Sequence, residues 1–150
     1  MYGTVLAFHN IMRWVVLLGG LLAIGKAIAG WQGKKEWTPM DNQFGLIFTI
    51  SMDVQLLLGL LLYFVLSPIT KSIFADFGAA MSDTGARFWA VEHISLMIVA
   101  VALAHIGRSR AKKAPTDVSK HQRAAVFFTL AILAVLLAIP WSRPLFPAGF

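Results

Sequence analysis

Long apolar runs separated by short polar clusters dominate this chain. Stretches at about 5–29, 44–66, 88–107 and 124–139 are each almost free of charge. A helix needs about 20 mostly apolar residues to cross roughly 30 Å of hydrocarbon. In lipid every backbone polar group must be satisfied internally, so the stretches are expected as helices rather than strands. The last is the shortest and stops at Pro140, whose missing N–H ends the hydrogen-bond ladder. Trp31, Trp89 and Trp141 fall at span ends, where indole rings prefer to sit. The expected fold is an all-α integral membrane four-helix bundle, up-down-up-down, in a single domain over 1–150. Between the second and third spans, Ile69, Ile73, Phe74, Phe77 and Met81 recur at helical spacing among Lys71, Asp76 and Asp83. That pattern predicts an amphipathic helix over about 69–82 at the outer interface. It either packs on the end of the bundle or acts as a lid.

Composition narrows the class. The 150 residues include no cysteine, 58% are hydrophobic and 13% are charged, with a mean hydropathy of +0.73. Soluble domains carry about a quarter charged residues, so a soluble enzyme is excluded. Absence of cysteine excludes a thiolate nucleophile, a Cys-ligated cluster, a zinc ribbon and covalently attached haem. The net charge of +6 does not mark a nucleic-acid partner, because the basic residues lie between apolar runs as topology signals do. Lys34 and Lys35 follow the first span, with Lys26 inside it close enough to snorkel towards them, and Arg108, Arg110, Lys112, Lys113, Lys120 and Arg123 follow the third. The positive-inside rule therefore predicts cytoplasmic basic loops with both termini outside. Ala27-Ile28-Ala29 resembles a signal-peptidase site. The start lacks a basic flank, however, and His9, Asn10 and Arg13 interrupt the apolar run, so the first span is expected to be retained.

Ionisable groups inside a span cost roughly 2.5–3.5 kcal/mol each at mid-depth on insertion scales, so each one needs a reason. His9 lies about four residues into the first span and His93 about five into the third. With parallel directions, both sit roughly 6–8 Å below the outer boundary. Imidazole nitrogens are axial ligands for iron, and facing helices of a bundle hold cofactors between them. The pair is thus a candidate for binding one haem b, with the small residues Ala7, Ala90 and Ala100 leaving room. The plain alternative is two interfacial histidines bonded to water or headgroups. A metal site of His9, His93 and Glu92 is disfavoured, since neighbouring helical residues point about 100° apart.

Arg13 follows His9 by one turn. Asp53 lies near the same depth and is its expected partner, with Glu92 as the rival. Such a buried pair either fixes helix register or, in a polar network that includes Gln55, makes Asp53 or Glu92 a proton-accepting group beside a quinol site. His105 and His121, at the other end, form a weaker candidate for a second haem. His121 lies in a run that reads as solvated.

Four segments together carry a resemblance. They are His9-Asn10-Ile11-Met12-Arg13-Trp14, Gln55-Leu56-Leu57-Leu58-Gly59-Leu60-Leu61-Leu62-Tyr63-Phe64, Arg87-Phe88-Trp89-Ala90-Val91-Glu92-His93 and Ala138-Ile139-Pro140-Trp141. The chain resembles short four-helix bacterial membrane proteins labelled cytochrome b-like. Its opening helix is loosely similar to the cytochrome b561 and superoxide oxidase type. The resemblance implies a bacterial inner membrane location and haem b on His9 and His93. Spans two and four lack histidine, so it does not carry over that type's two-haem arrangement. The expected function is a membrane cytochrome carrying single electrons near the outer face, between quinol and an external acceptor or within a respiratory complex. Arg13, Asp53 and Glu92 would be its buried polar surroundings. The rival from another class is a cofactor-free accessory subunit of a larger complex or homo-oligomer, docking through Gly19, Gly20, Ala23 and Ala27. A third reading, a small proton or ion carrier on Arg13, Asp53 and Glu92, lacks the internal repeat expected of transporters.

Overall fold

A computed structural model of the chain describes residues 1–143. Its long helices are α1 (Tyr2–Gln32), α2 (Pro39–Leu61), α6 (His93–Lys112) and α7 (Asp117–Ala138). Leu62–Leu66 extends α2 and Phe88–Glu92 precedes α6, both as single π-helical turns. Three short helices, α3 (Pro68–Ala75), α4 (Phe77–Ser82) and α5 (Thr84–Arg87), fill the connection. With their extensions, the four long helices are each long and apolar enough to cross a membrane. Helices α2 and α7 begin several residues before their apolar stretches, because their polar N-terminal ends are well capped. Thr38 and Asp41 form a reciprocal capping box at the start of α2, with Pro39 in its first turn. Thr116 and Ser119 do the same for α7.

The long helices form a ring in which α1 packs on α2 and α7, and α6 packs on α2 and α7. Helices α1 and α6 therefore face each other across the middle. Small residues set the closest approach. A Cβ on Gly107 of α6 would overlap Phe127 of α7. Ala100, Ala104 and Ala111 of α6 are buried in the same core cluster as Ala124, Ala131 and Val135 of α7. Gly20, Ala23 and Ala27 are likewise buried inside the bundle, and a Cβ on Gly20 would meet Ile132 and Phe48. The small stripe of α1 thus serves internal packing, with Gly19 left open, and no longer argues for an accessory-subunit surface.

The segment expected as one amphipathic helix over 69–82 is two helices. Asp76 leaves helical geometry at φ −145° and its carboxylate accepts the Ala79 N–H at 3.0 Å, so it starts α4 rather than continuing α3. Ile73 and Ala80 are buried with Ala90 in a small cluster of their own, which is the end-packing arrangement. Phe74 and Phe77 stay exposed.

Candidate functional site

A cavity of about 500 Å³ lies among the four long helices, at the end of the bundle where α3 packs. Ligand sites typically span about 300–1,000 Å³. His9 of α1 and His93 of α6 both line it, as do Arg13, Gln55, Gly59, Tyr63 and Trp89. The histidine rings have centroids 6.4 Å apart and planes inclined at 64°. Two imidazoles sharing one metal, each nitrogen about 2.0–2.1 Å from it, place their centroids roughly 6 Å apart. The equal depth expected from the sequence is therefore joined by a suitable lateral spacing.

The end of α7 orients His93. Ile139 adopts an extended conformation, φ −70° and ψ 128°, as the residue before a proline prefers. The helix stops there, and its last carbonyls lose their intrahelical donors. His93 Nδ1–H donates to one of them, the Ala138 carbonyl, at 2.7 Å. Since a carbonyl only accepts, the proton is fixed on Nδ1 and the Nε2 lone pair is left for another partner. Trp89 and Phe88 pack against the same ring at 5.5 and 5.8 Å. Metal-binding histidines are generally oriented by such a bond from the second nitrogen.

His9 is held differently. Its Nε2 lies 3.3 Å from Gln55 Nε2, so the amide donates and the imidazole accepts. His9 Nδ1 and Gln55 Oε1 are buried with no hydrogen-bond partner among the described residues. Gly59 is part of the same cradle, since a Cβ there would come within 3.3 Å of His9 Cε1. Buried orphan polar atoms beside a cavity are what a ligand or bound water would satisfy. The pair fits an axial set for haem on spacing, volume and the His93 tautomer. Ligation through His9 Nε2 requires Gln55 to give up that nitrogen.

Other expected members of the site lie elsewhere. Arg13 is buried, 7% exposed, lines the cavity and has its guanidinium 5.7 Å from the Trp14 ring centre. The expected Arg13–Asp53 pair does not form. Asp53 Oδ1 instead accepts from His105 Nε2 at 2.7 Å. Glu92 is taken by Arg87 at 2.9 Å, and neither acid lines the cavity. The four-residue polar network is thus split, with Arg13 and Gln55 at the cavity and Asp53 and Glu92 away from it.

The second histidine pair is corrected too. His121 is 1% exposed rather than solvated. Its ring stacks 4.9 Å from Trp37, fills the space over Gly30 and lies 3.3 Å from the Glu36 carbonyl. His105 is committed to Asp53, so the two have separate partners. Among the described residues no group of three or more His, Asp or Glu is placed to hold a metal ion.

Sequence reading missed the Ala138 carbonyl, Gly59 and Tyr63. Pro140 and the glycine within the Gln55 run were signals for the first two. Tyr63, whose hydroxyl donates to the Ala90 carbonyl, ties the two π-helical turns together beside the cavity; it lies in the same run, which did not reveal that bond.

No family model, curated protein or solved structure matches the chain.

Proposed function

We propose that this protein is a membrane cytochrome with one haem b, bound between α1 and α6 on His9 and His93. The reading rests chiefly on one observation. Two histidine rings 6.4 Å apart face one cavity, and one of them has its second nitrogen satisfied by a backbone carbonyl. A haem held by His9 and His93 would supply reversible one-electron chemistry rather than oxygen chemistry. His93 holds its position through Ala138, while His9 is steadied by Gln55 and by close packing over Gly59. Trp89 and Tyr63 close the walls, and buried Arg13 places positive charge beside the site, suited to an anionic propionate.

The bundle runs up-down-up-down with both termini outside. The basic residues after α1, in the last turns of α6 and in the first turns of α7 face the cytoplasm, and α3 and α4 lie at the outer interface. The cavity then sits near the outer face of a bacterial inner membrane. Electrons pass there between a membrane quinol and an external acceptor, or within a larger respiratory complex. The test is haem content, measured as pyridine haemochrome per chain, in the detergent-purified protein and in His9→Ala and His93→Ala. The parent carries about one haem per chain and both variants lose it. Unchanged haem in both variants contradicts the assignment of ligands.

A further inference from the structure

The Asp53–His105 pair lies on the outside of the bundle. Its side chains are 44% and 48% exposed. Asp53 stands at the midpoint of the membrane-spanning stretch Pro39–Leu66. Ionisable residues within spans are rare and nearly always face a bundle interior or a water-filled cavity. This pair faces away from the cavity. Its bond uses one carboxylate oxygen and one ring nitrogen, which leaves each group a second polar atom to satisfy. Lipid chains offer no partner for them.

The surrounding face has the spacing of a helix seam. On α2, Ile47, Ile50, Val54 and Leu57 are all exposed at alternating intervals of three and four. On α6, the exposed Ser95, Ala102 and Ser109 repeat every seven residues on the His105 side. Small residues at that interval allow helices to approach closely in lipid, where packing and interhelical hydrogen bonds drive association.

We propose that this α2–α6 face docks a second copy of the same chain, making a two-fold dimer in the membrane. The pair is self-complementary as an imidazolium–carboxylate pair: His105 Nε2–H donates to Asp53 Oδ1 within one copy, and its Nδ1–H is left to donate to the carboxylate of the other copy. A two-fold axis brings the carboxylate of each copy to the imidazole of the other, as an isologous interface requires. One face thus supplies both halves of the recognition, and the remaining polar atoms are satisfied without any other protein. The proposal is independent of haem binding.

The chain has no cysteine, so single cysteines report contacts directly. In native membranes, Ala102→Cys and Leu57→Cys are expected to cross-link to twice the chain mass on mild oxidation. Leu18→Cys on α1, exposed on a different helix, is the control and is expected to stay largely monomeric. Combining Asp53→Asn with His105→Gln is expected to weaken dimerisation about three- to twentyfold in a fluorescence energy-transfer titration, the range for one or two interhelical hydrogen bonds. Three results overturn the proposal. They are cross-linking at Ala102 and Leu57 no greater than at Leu18, adducts of another mass that show a different protein on this face, and dimerisation unaffected by the double substitution.

Discussion

Each end of the bundle packs a histidine among its helices, and the two are treated in opposite ways. At one end His93 projects beside a cavity of about 500 Å³, with one nitrogen tied to Ala138 and the other left available. At the other end His121 fills its space completely. Gly30 gives up its side chain to make room for the ring, Trp37 covers it and α1 closes behind it. Burial alone therefore does not mark a binding residue. The His121 end uses an imidazole as packing, whereas the His93 end surrounds one with room and fixes its tautomer.

The sharpest way to break this contrast is to delete each ring. His93→Ala should lower haem per chain at least about tenfold, the scale of losing one of two axial ligands, while the helical content persists. His121→Ala should do the reverse. Haem per folded chain should hold while thermal stability falls by about 2–4 kcal/mol, the usual cost of emptying a large buried site. Equal haem loss in both variants would mean that the two ends do not differ in kind.

Next in size is the carbonyl that fixes His93. In Pro140→Ala the helix can continue, so the N–H of Ser142 competes for the Ala138 carbonyl. Haem affinity should drop about tenfold, as when an outer hydrogen bond to a metal-bound histidine is removed. Titration of the haem-depleted protein measures it, and an unchanged affinity would show that the carbonyl does not matter.

Smaller effects separate the two glycines. Gly30→Ala places a methyl inside the His121 ring space and should cost about 1–3 kcal/mol of stability, read from the melting temperature, with haem per folded chain unchanged. Gly59→Ala meets His9 Cε1 at 3.3 Å, tighter than an ordinary contact, so the ring must give by a few tenths of an ångström. It should cost under about 1 kcal/mol and shift the haem spectrum instead.

These contrasts also show what the sequence could convey. Helix length and depth follow from counting residues at a fixed rise, so the spans and the equal level of His9 and His93 were legible. Azimuth is not, because it depends on how each helix is rotated against its neighbours. Asp53 therefore looked like the partner of Arg13 at similar depth, yet α2 turns it outward to His105. His121 looked solvated among Ser119, Lys120 and Arg123 for the same reason. Its neighbours along the chain are polar, but α7 turns it onto Gly30. The break at Asp76 was hidden in another way. Apolar spacing continues through it, and the local bond from its carboxylate to Ala79 ends the helix regardless.

A haem between α1 and α6, as proposed, would show in a reduced-minus-oxidised visible spectrum of the detergent-purified protein. Sharp α and Soret bands of a b-type haem are expected, with an intensity matching about one haem per chain. A flat spectrum, repeated after expression with added haem precursor, would contradict the proposal and leave His9 and His93 as lining residues of a cavity with some other occupant.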